Sequence, residues 1–244
     1  MKRAIVTGAT SFIGISLIKQ LIKNEYDVLA VVRPHSKNLH RLSKYKTIQV
    51  IELNIDDINM LPTIAKEKYD IFFHLAWEGT RAPYRDNEKL QIKNYFSAIN
   101  AIHVANQLNC NIFIGSGSQA EYGQFCGEID ESYRTIPITE YGKAKLKTYH
   151  ECQHLAENLG MQFVWARIFS VYGEYDYTSS LIMTCIEKML KNEDVPLSQC
   201  IQSWDYIYVD DVAEALLKLG EFYCSSGVYN IASGLSKPLK EFVD

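Results

Sequence analysis

The stretch "TGATSFIG", Thr7 to Gly14, decides how this chain of 244 residues is read. It follows the apolar run "AIV", Ala4 to Val6, and precedes Ile15, Leu17, Ile18, Leu21 and Ile22, which recur at helical spacing. A strand that turns at glycines into a helix leaves free backbone N–H groups and the positive helix end facing outward, an arrangement suited to a pyrophosphate. Gly8 and Gly14 hold the first and last glycine positions of such a turn, and Ser11 stands where the middle glycine would be. A serine forced into a left-handed backbone there would cost about 1 kcal/mol or more. Placed in the first helical turn, it would instead offer its hydroxyl to a phosphate. The turn, with Thr10, Phe12 and Ile13 around it, is a candidate dinucleotide cradle; the alternative is a plain glycine turn.

Working outward, short β-branched runs alternate with longer amphipathic ones: "DVLAVV", "TIQVIEL", "DIFFHLA", "NIFIGS" and "FVWARI". Strands spaced by helices predict an α/β protein, a doubly wound parallel sheet with helices on both faces. No repeat or low-complexity linker interrupts the pattern. The rhythm changes after Arg167, where aromatic loops and shorter elements begin. The expected organisation is a dinucleotide-binding domain over 1–167 and a smaller substrate lobe over 168–244, interleaved with the first.

Composition excludes several functions. Lys and Arg total 25 against 29 Asp and Glu, a net charge of -4, so nucleic-acid and membrane-surface binding lack an electrostatic basis. No apolar run is long enough to span a bilayer and Met1 to Val6 lacks a leader pattern, so a cytoplasmic protein is expected. The cysteines at 110, 126, 152, 185, 200 and 224 form no C-x-x-C pair, so packed, reduced thiols are expected and neither a metal knuckle nor a disulfide framework. Asp210 and Asp211 resemble a metal pair, yet no further ligands converge on them in sequence, and no metal is expected.

The segment "ITEYGKAKLKTYHECQHLAENLG" predicts a helix from about Glu140 to Asn158, closed by Gly160. Tyr141 and Lys145 share one face of it. An ammonium near a phenol favours the phenolate and would draw its pKa of about 10 toward neutrality, as a proton-transfer group requires. An isolated Tyr-x-x-x-Lys is commonly just an exposed helical pair. Here, however, "NIFIGS" continues into "GSGSQAEYG" and brings the hydroxyls of Ser116 and Ser118 to the carboxyl edge of the sheet, where ligands of this architecture bind.

With these motifs in hand, the chain resembles the extended short-chain dehydrogenase/reductases, the family of nucleotide-sugar epimerases, dehydratases and ketoreductases. The likeness runs through "TGATSFIG", "HLAW" (His74 to Trp77), "GSGSQAEYG", "YGKAK", "ARIFSVYG", "WDYIYVDDVAEA" and "GVYNIASG" in the family's order. It implies a Rossmann-type sheet with a small C-terminal substrate lobe. It also implies Tyr141 as acid/base, Lys145 on the nicotinamide ribose and Ser118 on the reacting oxygen. Around the cofactor it places Leu75, Ala76, Trp77, Ser116 and Ile168, with Asn54 and Ile55 at the adenine; around the substrate it places Arg81, Gln119, Ser170 and Trp204. His74 becomes a buried structural partner, and the pair at 210–211 a helix start. A homodimer through the helices near Lys89–Leu108 and Glu140–Asn158 is expected by analogy.

Departures from the family narrow the reaction. Dehydratases carry an Asp-Glu pair after the catalytic Ser or Thr, and those places are Gln119 and Ala120 here, which excludes water elimination through them. An acid normally follows the second strand to meet the adenosine ribose; at about the expected 20 residues from Gly14 stands Arg33 instead, in "VVRPHSK". A guanidinium suits a 2'-phosphate, with Ser36 and Lys37 close by, so NADP is preferred over NAD. NADPH points to reduction of a keto group on a nucleotide-linked deoxysugar, with a NAD-dependent 4-epimerase as the alternative. Ser170 and Trp204 replace an asparagine and an arginine that serve the substrate diphosphate, which keeps a reductase of small carbonyls open. A non-catalytic cofactor sensor is the reading from another class, though this chain keeps the tyrosine, the lysine and the serine. "GVYNIASGLSKPLKEFVD" ends before a final helix is complete, so a shortened or truncated substrate lobe is expected.

Overall fold

In the computed structural model, which describes residues 2–125, 127–221 and 225–243, the apolar runs become strands. In chain order they are β1 (Arg3–Thr7), β2 (Asp27–Val32), β3 (Gln49–Glu52), β4 (Ile71–His74), β5 (Ile112–Ser118), β6 (Gln162–Ile168), β7 (Ser170–Tyr172), β8 (Ser203–Trp204), β9 (Tyr206–Tyr208), β10 (Gly227–Ile231) and β11 (Lys237–Pro238). The helices are α1 (Phe12–Lys23), α2 (Leu61–Ile64), α3 (Glu88–Gln107), α4 (Glu140–Leu159), α5 (Leu181–Leu190) and α6 (Val209–Glu221). Seven strands form one sheet in the order β10-β6-β5-β4-β1-β2-β3, every pairing parallel.

Alternation along the strands assigns the two faces. Val6, Val28, Ala30, Phe73, Ile114 and Val164 point to one side, where Leu17, Ile18 and Leu21 of α1 meet Val212, Leu216 and Leu217 of α6. Ile5, Leu29, Phe72, Phe113, Phe163 and Trp165 point to the other, against Ala101, Ile102 and Ala105 of α3 and Cys152 and Ala156 of α4. Burial on both faces explains why these strands read as near-continuous apolar runs. The chain is therefore a Rossmann-type doubly wound sheet.

Residues after Arg167 divide between two places. β10 pairs with β6 as the seventh strand, and α6 lies beside α1 on the sheet. β7 with β9, and β8 with β11, form two small two-stranded sheets, with α5 between them in sequence. Helix α1 starts at Phe12, earlier than the apolar periodicity marks, because Ser11 caps it by accepting the Gly14 N–H at 3.0 Å. Cys110, Cys152, Cys185 and Cys200 are free and buried, whereas Cys126 and Cys224 lie outside the described residues. Among the described residues no helix is long and apolar enough to cross a membrane.

Candidate active site

The glycine turn after β1 is built for close approach. Gly8 has φ +68°, and a Cβ there would sit 2.8 Å from the Ala76 nitrogen. A Cβ on Gly14 would come within 2.4 Å of the Gly8 carbonyl oxygen. Ser11 needs no left-handed backbone, since its φ of -71° and ψ of 163° are extended. Around the turn, the Thr10 and Ser36 hydroxyls lie 3.2 Å apart, and Arg41 donates from Nη1 to the Thr10 carbonyl at 3.3 Å. The Arg41 guanidinium rests 4.5 Å from the Tyr175 ring centre, and its buried Nε has no partner among the described residues. A helix N-terminus, a cradle that side chains cannot enter and an unsatisfied buried donor fit an anionic dinucleotide. Arg33 is exposed at the end of β2 and lies 3.6 Å from Glu78. Lys37 and Asn54 are exposed, and Ile55 packs partly on the core.

At the carboxyl ends of β4, β5 and β6 opens a cavity of about 520 Å³. Ser11, Phe12 and Ile13 line it at the turn; Leu75, Trp77, Ser116 and Ile168 form its inner wall; Ser118, Tyr141 and Lys145 stand at its reacting end. Packing fixes that cluster. Thr139 caps α4 by accepting the Gly142 N–H at 3.1 Å, and a Cβ on Gly142 would lie 2.5 Å from the Ala120 carbonyl. Only glycine lets the start of α4 come so near the turn after β5, and Tyr141 thereby shares the cavity wall with Ser118.

The Tyr141 environment corrects one expectation. Lys145 does not draw the phenol toward neutrality; burial pushes Tyr141 up to about 12, opposed by the Ser118 hydrogen bond and by Arg85. Lys145 is itself pushed down to about 7 by burial. Its Nζ donates to the Ser116 carbonyl at 2.6 Å and lies 3.6 Å from the Trp77 ring centre, but 5.8 Å from that of Tyr141. Desolvation of a buried phenol outweighs a cation already engaged elsewhere.

Toward the small sheets, Gln119 donates from Nε2 to the Ser170 hydroxyl at 2.9 Å. Arg81 pairs with the buried Asp176 at 3.2 Å and stacks 4.3 Å from the Tyr177 ring centre. Trp204 also lines the cavity, tilted against Tyr206. Tyr172 meets Tyr206 and Tyr208 edge-on, and Tyr206 meets Phe242, so packing accounts for these aromatics. His74 is buried with Nδ1 3.1 Å from the Thr7 hydroxyl, and burial holds its pKa down at about 3. Asp210 begins α6 and accepts from Ser16 and Lys19; no cluster of metal-ligating side chains exists among the described residues.

Four further residues belong to the site that the sequence reading passed over. Glu121, fully buried, accepts the Ser118 N–H at 2.8 Å, the Trp165 Nε1–H at 3.0 Å and the Arg167 Nε–H at 2.8 Å. Its signal was present as Ser118-x-x-Glu121, a capping box. Arg85 lies 5.3 Å from the Tyr141 ring centre, with a buried, unpartnered Nε. Arg41 reaches the glycine turn from a single 3-10 turn, Leu39–Leu42, and Glu78 comes from the loop after β4, and nothing in their local sequence marks them.

A parallel sheet with a glycine turn after its first strand, and a Ser, Tyr and Lys cluster at the carboxyl edge, defines an extended short-chain dehydrogenase/reductase. The chain belongs to the NAD dependent epimerase/dehydratase family, whose model matches residues 4–232. It is 27% identical over 243 residues to CDP-abequose synthase of Salmonella muenchen, covering 98% of this chain and 77% of that one. It is 24% identical to the dTDP-6-deoxy-L-talose 4-dehydrogenase (NAD(+)) of Aggregatibacter actinomycetemcomitans, covering 98% and 87% respectively. The crystal structure of UDP-glucose 4-epimerase with UDP-glucose from Thermotoga maritima superposes with a TM-score of 0.85 at 25% identity, covering 99% of this chain and 80% of that one.

Proposed function

We propose that this enzyme reduces a keto group on a nucleotide-linked deoxysugar, with NADPH as the reductant. The observation that carries the reading is the convergence of Ser118, Tyr141 and Lys145 at the end of a cavity that runs back to the glycine turn. The bound nicotinamide supplies the hydride. Tyr141 gives its phenolic proton to the carbonyl oxygen, Ser118 holds that oxygen by its hydroxyl, and Lys145 stands behind them to bind the ribose. Burial pushes the Tyr141 phenol up, so it holds its proton at neutral pH, as a proton donor must before the step. Gln119, tied to Ser170, and Ala120 offer no acid for eliminating water. Similarity to a dTDP-6-deoxy-L-talose 4-dehydrogenase adds support for a deoxysugar substrate, and the exposed Arg33 at the end of β2 is the cation offered to a 2'-phosphate.

A second reading, NAD-dependent 4-epimerisation, is favoured by the likeness to the Thermotoga maritima epimerase and by the carboxylate of Glu78 beside Arg33. The two differ in cofactor consumption. With a nucleotide-linked 4-keto-6-deoxysugar, the reductase oxidises one NADPH per turnover, whereas an epimerase interconverts nucleotide sugars with none consumed. Tyr141→Phe and Lys145→Met each lower turnover by roughly 10²–10⁴-fold under either reading. Full turnover in Tyr141→Phe would remove the assignment. The outer faces of α3 and α4, with Ile92 and Phe96 exposed, are the proposed homodimer contact; a monomer by light scattering would exclude it.

A further inference from the structure

Arg33 and Glu78 come from opposite sides of the glycine turn. In the sheet β1 lies between β4 and β2. Arg33 follows β2 directly, and Glu78 follows β4 through Leu75, Ala76 and Trp77. Their ion pair, 3.6 Å from Nη1 to Oε1, therefore passes across the carboxyl end of β1, where the turn opens with Gly8. Glu78 is delivered there by a fixed backbone. Asn94, buried on α3, accepts the Glu78 N–H at 3.0 Å and donates to its carbonyl at 2.9 Å.

The two side chains prefer opposite ligands. A guanidinium binds a phosphate through parallel charged hydrogen bonds, whereas a carboxylate accepts from a hydroxyl and repels a phosphate. NADPH and NADH differ at one ribose position, which carries a phosphate in the first and a hydroxyl in the second. The acid missing from the end of β2 is thus present at the same place, brought there by the loop after β4. A carboxylate this close to Arg33 lies well within the screening length of about 8 Å at physiological salt.

We propose that Glu78 sets the cofactor selectivity of this enzyme. It holds Arg33 when the ribose carries a hydroxyl and opposes the phosphate that Arg33 would otherwise clamp, so both dinucleotides are accepted with a narrow margin. The assignment rests on reading the glycine turn as the dinucleotide site.

Titration of the whole protein with NADPH and with NADH, followed by nicotinamide fluorescence, tests it in the native chain, Glu78→Gln and Arg33→Ala. Glu78→Gln is expected to tighten NADPH by roughly three- to tenfold, as removal of one exposed charge interaction allows, and to leave NADH unchanged or weaker. Arg33→Ala weakens NADPH, and the gain from Glu78→Gln shrinks when the two changes are combined. A ratio of the two affinities that stays within about twofold in Glu78→Gln, or moves toward NADH, overturns the assignment while leaving the dinucleotide site in place. If neither dinucleotide binds the native chain, the cofactor reading fails and the role of Glu78 falls with it.

Discussion

Glu121 accepts the backbone N–H of Ser118 at 2.8 Å, and through its other oxygen the Nε–H of Arg167 at 2.8 Å. Ser118, which lines the cavity with Tyr141, is thus anchored to a buried ion pair whose arginine belongs to β6. Trp165 donates to the same carboxylate, and Arg167 also donates to the Tyr122 hydroxyl at 3.0 Å, so no polar atom of the carboxylate goes unused.

Replacing one partner of this pair should be costly. Glu121→Gln keeps the shape but leaves the Arg167 charge buried without its counter-ion, a loss of about 3–5 kcal/mol. For a chain of this size that corresponds to a fall in melting temperature on the order of 10 °C. Calorimetry would show it, and a change below about 1 kcal/mol would mean that the Glu121–Arg167 pair does little to hold the fold. An apolar replacement of both Glu121 and Arg167 should recover part of the loss.

Lys145 makes stability depend on pH. Its folded pKa is pushed down to about 7 from an ordinary 10.5. Between those values the unfolded chain binds more protons than the folded one, so stability rises with pH, by at most about 1.4 kcal/mol per unit. Below about pH 7 both forms are protonated and the full burial penalty remains. Lys145→Met should therefore be more stable than the native chain at pH 6, and the difference should shrink toward pH 10. Denaturant melts at both pH values measure this, and a difference that grows with pH would contradict it.

Gly14→Ala tests the cradle. The added Cβ falls 2.4 Å from the Gly8 carbonyl, so the turn must open. Affinity for NADH and NADPH should fall together by roughly tenfold or more, while helix content, which alanine favours, stays the same. Fluorescence titration beside circular dichroism checks the pair of outcomes; unchanged affinity would place the dinucleotide elsewhere.

How much of this was legible depends on what each feature is made of. β1, β2, β4, β5 and β6 were readable because strands buried on both faces need unbroken apolar side chains. Tyr141 and Lys145 were readable because helical spacing is local. The sign of the Tyr141 shift was not, since it depends on how deeply the fold buries the phenol, with Trp77 edge-on to it, and on Ser116 engaging Lys145. Arg41, Arg85 and Glu78 were invisible for a related reason: single 3-10 turns carry the two arginines and a loop carries Glu78, and segments so short leave no periodic trace. The sequence has no acid directly after β2, yet the structure brings the Glu78 carboxylate beside Arg33 from 45 residues further along the chain.

The position of β10 and α6 has a consequence for how the protein comes into being. The helix that caps the glycine turn, α1, has its apolar side covered by α6, and β6 finds its outer neighbour only in β10. On a ribosome the first 167 residues would emerge with an open sheet edge and a naked helix flank, both adhesive surfaces. The glycine turn and α1 come early in the sequence, but the helix that packs on α1 follows only at Val209–Glu221. Cutting the chain after β6 is thus expected to yield an aggregating fragment, not a smaller cofactor-binding module.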